Sequence, residues 1–383
     1  MKRITVAVDS FKGSLSSREV ADSFAEGWAS VYPECDIRKV SIADGGEGSV
    51  DALVETLDGE FVEVAVSDPL GRPIKAKYGI VDGGRTAVME MSAASGLPLL
   101  VPEERNPLRT STYGTGEMIV DAFKRGCRKF LIGIGGSATN DGGLGMLRAL
   151  GFKFFDAEGS ELCGDGESLE RVVRIDGSGA MKELSEAEFI VACDVNNPLC
   201  GERGAAYVYA PQKGADEAMV RRLDAGLRNY AAVIELYNGE SVADMPGAGA
   251  AGGLGAGFKA LLDARLERGI DMILGAMHFD KIIEGSDLVI TGEGRVDRQT
   301  VMGKAPSGVL QAATRQGIPT VAIGGAVAWC EELYNSGFAA IVPVVSAPIS
   351  LEEAMRCDVA RENIRRTAMQ IAKLANLTNL KHI

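Results

Sequence analysis

The sequence predicts an α/β protein of two domains, in which a doubly wound parallel sheet is interrupted by an inserted α/β domain with a mixed sheet. Three observations carry this expectation. At 383 residues the chain is longer than one ordinary hydrophobic core organises, so two domains are expected. Short β-branched runs that end at a loop and lead into helical-period stretches recur near both ends, the alternation of a parallel sheet covered by helices. Between them, strand-like runs are joined by tight turns, which imply antiparallel pairs.

The first run, 4–8, is followed by Ser16-Ser17-Arg18-Glu19, an N-cap pattern for a helix running towards Val31. A second run at 37–41 leads to Ser49, which starts a helix carrying Val50, Leu53 and Val54. The runs 61–66, 74–80 and 87–91 then follow, separated by turns at Asp68-Pro-Leu-Gly71 and Asp82-Gly-Gly84. Strands at 129–132 and 189–193 flank helices at 117–124 and 144–150. An amphipathic stretch from 218 to 237 precedes an alanine-glycine segment at 246–257 and a helix at 258–268. The runs 288–291, 320–323 and 340–345 resume the parallel pattern. The outer segments, 1–60 and 285–383, are therefore expected to close into one flavodoxin-like domain around an insert at 61–284, with strand carboxyl ends facing a cleft.

Composition excludes several classes of function. A net charge of −13 argues against a nucleic-acid or anionic-membrane surface, because both select clustered Lys and Arg. No stretch approaches the roughly 20 apolar residues of a membrane helix, and the basic start Met1-Lys-Arg has too short an apolar run for a signal segment. The cysteines at 35, 127, 163, 193, 200, 330 and 357 are odd in number and lack a Cys-x-x-Cys pair, which reads as reduced thiols in a cytoplasm. Cys193 and Cys200 have no histidine partner and read as structural, and Trp28 and Trp329 as core or edge aromatics. With only His278 and His382, histidine-based catalysis is not expected.

Chemistry concentrates in four glycine-rich loops. Glycine lets backbone N–H groups converge on an anion, and neighbouring carboxylates accept that anion when a divalent cation bridges them. Lys12, with Ser14 and Ser16 beside it before the first helix, either binds a carboxylate or phosphate or is a solvated lysine in a capping loop. Asp44 and Glu47, in Asp44-Gly45-Gly46-Glu47, are candidates to ligate Mg²⁺ directly or through water.

The loop 133–143 reads in two ways. Gly133-Ile-Gly135-Gly136-Ser137-Ala138 fits a loose dinucleotide fingerprint, with Asp156 as the ribose acid. The polar continuation Thr139-Asn140-Asp141 instead favours an anion nest built from Ser137, Thr139 and backbone N–H groups. Asp194 is a base, a metal ligand or an Asx-turn residue before Pro198, with Asn196 and Asn197 as neutral donors. Glu293, Arg295 and Asp297 leave a strand together, and they either steady phosphoryl charge and metal or form a surface ion pair. Lys304 reaches phosphate or is solvated. The segment 247–257 is a phosphate loop or a linker.

Six motifs, taken in order, resemble the type I glycerate kinase family: Asp9-Ser-Phe-Lys-Gly-Ser-Leu15, Ala43-Asp-Gly-Gly-Glu-Gly48, Asp68-Pro-Leu-Gly-Arg72, the loop 133–143, Cys193-Asp-Val-Asn-Asn-Pro-Leu199 and Thr291-Gly-Glu-Gly-Arg-Val-Asp297. The match spans nearly the whole chain. The resemblance implies ATP-dependent phosphorylation of D-glycerate, usually at the 2-hydroxyl, with Mg²⁺, by a flavodoxin-like domain interrupted by a second α/β domain. On that reading Lys12 and Arg295 offset carboxylate and phosphate charge, Asp44 with Glu293 or Asp297 positions Mg²⁺, and Asp194 or Asp297 takes the hydroxyl proton. Ser14, Gly45, Gly46, Gly135, Gly136, Ser137, Thr139, Gly253, Gly255, Gly292 and Gly294 are the expected phosphate and substrate positions. D-glycerate and ATP are the expected partners, with domain closure around them. Self-association and the choice between the 2- and 3-hydroxyl stay open here. A NAD(P)-dependent oxidoreductase of small hydroxy acids and a non-catalytic metabolite-binding protein are the rival readings.

Overall fold

The structure, a computed structural model, describes residues 1–43 and 48–379. It divides into two compact units, Met1–Asp44 with Ile273–Ile383, and Gly45–Met272. The crossings fall at 44/45 and 272/273, where the sequence placed them near 60 and 285. Local packing accounts for the shift. The helix Ser49–Thr56 packs on the strands Pro73–Val81 and Thr86–Glu90, and the Glu90 carboxylate accepts from the Ser49 N–H at 3.1 Å. At the other crossing, the helix Phe279–Ile283 packs on the helix Ala305–Arg315.

In the first unit a five-stranded, wholly parallel sheet has the order Ala340–Pro343, Thr320–Val327, Leu288–Val296, Arg3–Val8, Asp36–Ser41. This is the flavodoxin-like order, whose switch point lies between the first and third strands of the unit in sequence, here Arg3–Val8 and Leu288–Val296. Their register runs from Ile4 opposite Leu288 to Val8 opposite Gly292, so both chains leave the sheet at the same edge. Ile4, Val6, Val8, Ile290 and Ile323 are buried, as β-branched runs covered on both faces must be.

The expected N-cap forms as a capping box: Ser16 accepts from the Glu19 N–H at 3.3 Å and the Glu19 carboxylate accepts from the Ser16 N–H at 2.9 Å, opening the helix Ser17–Ala29. That helix lies against Cys357–Asn379, and Gly27 permits the contact, because a Cβ there would stand 2.1 Å from the Arg365 carbonyl oxygen. Trp28 is fully buried and stacks with Phe24 and Tyr32, whereas Trp329 is exposed.

The second unit is built on a six-stranded sheet in the order Arg265–Glu267, Glu188–Ala192, Lys129–Gly133, Thr86–Glu90, Pro73–Val81, Glu60–Ser67. The first four are parallel and the last two join as antiparallel hairpins, the mixed sheet that the turns predicted. At the first turn the Asp68 carboxylate accepts from the Leu70 and Arg72 N–H groups, and Gly71 takes φ +81°. A separate antiparallel pair, Lys153–Phe155 with Arg174–Asp176, lies outside that sheet.

Three sequence expectations change. The helix expected at 258–268 runs instead from Ala250 to Leu262 and gives way to the strand Arg265–Glu267. The alanine-glycine segment is thus a packed turn through left-handed Ala251, Gly252 and Gly253 that runs into regular helix from Leu254, rather than a linker. The strand expected at 288–291 continues to Val296, and its neighbour continues to Val327, so most of the acid-bearing Gly292–Arg295 stretch is paired strand.

Candidate active site

The strand carboxyl ends at the switch point open into a cleft of about 380 Å³ within the first unit. Asp9, Lys12 and Ser14 come from the loop after Arg3–Val8; Glu293, Gly294, Arg295 and Asp297 come from the end of Leu288–Val296; Lys304 precedes the helix Ala305–Arg315. Six of the site residues expected from the sequence, Lys12, Ser14, Glu293, Gly294, Arg295 and Asp297, thus line one cleft.

Local structure explains how each is held. Gly13 at φ +77° turns the chain so that the Ser14 and Leu15 N–H groups donate to the Phe11 carbonyl, and the exposed Lys12 sits on this turn. Lys12 therefore lies ahead of the helix Ser17–Ala29. Glu293 is buried and lies in the strand. Its Oε1 accepts from Thr300 Oγ1 at 2.7 Å, and its Oε2 accepts from Lys304 Nζ at 3.4 Å. Burial raises its pKa, opposed by Thr300 and Lys304. Asp297 caps the short helix Arg298–Val301, accepting from the Gln299 N–H at 2.9 Å, and its other oxygen pairs with Arg295 Nε at 3.2 Å. Arg295 is mostly exposed, so this pair contributes little stability and leaves the guanidinium available. Asp9 is an acid of the cleft that the sequence motifs did not single out; it is buried and accepts from the Ser10 N–H at 2.6 Å.

No cluster of three or more metal-ligating side chains occurs among the described residues. Two or three carboxylates beside two lysines fit a magnesium ion that arrives with a nucleotide and keeps water and phosphate oxygens as its other ligands. They do not fit an all-protein cage.

The remaining expected residues have other places. Asp44, Gly45 and Gly46, with Glu47, lie outside the described residues. Gly292 is a packing glycine: a Cβ would meet the Ile323 carbonyl oxygen at 2.3 Å. Gly253 and Gly255 are buried and spaced for contact with Gly142 and Gly247, which replaces the phosphate-loop expectation for 247–257 by close packing of a helix start on the 139–143 loop. Asp194 is exposed and accepts from the Gly269 N–H at 2.9 Å.

In the second unit, Gly135 and Gly136 are exposed after the Lys129–Gly133 strand, with Gly136 at φ +72°. Ser137 and Thr139 turn inward. The fully buried Lys213 donates to Ser137 Oγ at 2.6 Å and to the Thr139 carbonyl at 2.5 Å. Burial lowers its pKa to about 7, partly offset by Asp141. Asp141 accepts from the Thr112, Gly143 and Gly145 N–H groups and from Thr112 Oγ1, while its burial pushes its own pKa up. Nothing in Pro211-Gln-Lys-Gly214 signals such a lysine, because an isolated Lys in a polar turn reads as solvated.

The dinucleotide reading fails on geometry. Asp156 follows a strand of the separate hairpin, not the strand beside Lys129–Gly133, and its carboxylate is taken by the Ser160 N–H and Arg171. The helix after the glycine loop starts only at Leu144.

A flavodoxin-like sheet whose switch point gathers paired acids and lysines defines an α/β protein that handles a small, multiply charged anion. The comparisons with known proteins make this specific. The sequence model of the glycerate kinase family matches residues 4–376. The chain is 46% identical over 371 residues to a glycerate kinase of Bacillus subtilis (strain 168), covering 97% of each, and 43% identical over 371 residues to a glycerate 2-kinase of Escherichia coli (strain K12), again 97% of each. A crystal structure described as a glycerate kinase 2 of Salmonella typhimurium LT2 superposes with a TM-score of 0.90 at 44% identity, covering 100% of both chains. The chain belongs to the glycerate kinase family. Among the described residues no helix is long and apolar enough to cross a membrane.

Proposed function

We propose that this protein transfers the γ-phosphoryl group of ATP to the 2-hydroxyl of D-glycerate. One observation carries the chemistry: Asp9, Glu293 and Asp297 line the same switch-point cleft as Lys12, Arg295 and Lys304. Phosphoryl transfer through a loose transition state asks for positioning and charge compensation more than for covalent help from the protein, and this mixed set of charges supplies both.

In this reading Lys12, Lys304 and Arg295 face the phosphate oxygens, and Asp9 and Glu293 would hold Mg²⁺. When bound, Mg²⁺ offsets charge on the phosphate oxygens. Asp297, the more open carboxylate, accepts the hydroxyl proton, and its bond to Arg295 keeps the two groups in register. The 2-hydroxyl is favoured because the Escherichia coli relative is named a glycerate 2-kinase. The test is phosphorus NMR of the product formed from ATP, Mg²⁺ and D-glycerate. A 2-phosphoglycerate resonance supports the reading; 3-phosphoglycerate alone would overturn the regiochemistry.

A further inference from the structure

We propose that the apolar half of the first unit's cleft is a purine pocket, in which the Asn363 carboxamide reads the polar edge of the base while the lysine-and-acid half receives the phosphates. This rests on the kinase reading above and extends it to the part of the cleft that phosphoryl transfer leaves unexplained.

The cleft is two-sided. Beyond Lys12, Glu293 and Lys304, its walls are Phe11, Val344, Leu351, Ala354 and Met355. A three-carbon hydroxy acid has no apolar surface to set against such walls, and charged phosphates would be penalised beside them. A purine has the matching shape, with two apolar faces and a rim of donors and acceptors. The volume of about 380 Å³ falls in the range of pockets for ligands larger than glycerate.

Asn363 supplies the specific observation. It lies on the helix Cys357–Asn379, is 9% exposed and lines the cleft, and its side chain has no hydrogen-bond partner among the described residues. Its carboxamide is open to the cleft rather than sealed inside the protein, so a ligand edge that presents one acceptor and one donor would pair with it directly. Ser14 Oγ, also buried and without a partner, lines the same cleft.

The apolar wall is tied to the turn that carries Lys12. Met355 Cε packs so close to Gly13 that a Cβ there would lie 2.8 Å away, and Cys357 Sγ donates to the Ser14 carbonyl at 3.2 Å. Base and phosphate recognition would thus be set by one connected piece of structure.

The test is calorimetric titration with Mg²⁺-ADP and, separately, with Mg²⁺-tripolyphosphate, which has the charges but no base. Ala354→Trp and Leu351→Trp fill the apolar half, the latter at a largely exposed position that does not threaten folding. Both are expected to weaken ADP at least about tenfold, roughly 1.4 kcal/mol, while tripolyphosphate affinity stays within about twofold. Asn363→Leu is expected to reduce the preference for ADP over GDP. Unchanged ADP affinity in both tryptophan variants would overturn the proposal. So would equal loss of tripolyphosphate, or a wild type that binds neither probe. If the wild type binds ADP as expected but shows no D-glycerate-dependent turnover, the kinase reading fails and the pocket stands. If turnover is normal and both variants keep the KM for ATP, the pocket fails and the kinase reading stands.

Discussion

Replacing Lys213 by Met should abolish a rise in folding stability between neutral and alkaline pH. In the folded chain Lys213 is enclosed, with Ser137 Oγ and the Thr139 carbonyl as its partners, and burial lowers its pKa from 10.5 to about 7. Between those two values the unfolded chain carries a proton that the folded chain has lost. Stability therefore increases with pH across that window, is least below the folded value, and levels off above the unfolded one. At about 1.4 kcal/mol per pH unit the full effect is at most about 5 kcal/mol. The Met variant keeps the volume and lacks the proton. Urea unfolding must be followed by far-UV circular dichroism, because Trp28 and Trp329 both lie in the first unit and would not report on the second. The stability of wild type relative to Lys213→Met should be flat below about pH 6.5 and rise by about 1 kcal/mol per unit from roughly pH 7.5 to 9. A difference that stays flat through that range would refute the idea that this ammonium is desolvated by folding.

Other consequences are equally direct. Lys12→Ala should lower kcat/KM by about 2–4 kcal/mol of transition-state stabilisation, on the order of 30- to 1,000-fold, with little change in melting temperature because the side chain is exposed. Glu293→Gln should reduce kcat by about 100-fold or more while leaving tryptophan-detected stability near neutral pH undiminished, since the buried carboxylate has a raised pKa and costs stability when ionised; a stability loss as large as the activity loss would point to a structural role. Gly27→Ala should destabilise the first unit by about 1–3 kcal/mol in urea unfolding followed by tryptophan fluorescence, because the new methyl group collides with the Arg365 carbonyl.

The parallel strands were legible because short β-branched runs bounded by loops pack best as strands covered on both faces, and Ser16 with Glu19 marked a helix start that forms as written. The hairpins were legible from Asp68 to Gly71 because the turn chemistry is equally local. What escaped the sequence depends on distant partners. Gly292 and Gly294 suggested a loop, yet they continue a strand, since a glycine that makes room for the Ile323 carbonyl resembles a glycine that turns the chain. Gly253 and Gly255 suggested a phosphate cradle or linker, and only the fold shows Gly142 packed on the first and the Gly247 carbonyl on the second. Lys213 and Asn363 sit in segments whose pattern is that of an ordinary turn and an ordinary amphipathic helix. Their burial is set by tertiary packing, which one-dimensional periodicity does not carry.

The central claim is that this chain is a phosphotransferase acting on D-glycerate. The decisive measurement is the initial rate of ADP release from Mg²⁺-ATP with and without D-glycerate. A rate that saturates with D-glycerate and collapses in Lys12→Ala is the predicted result; ADP release no faster with D-glycerate than without it would contradict the assignment.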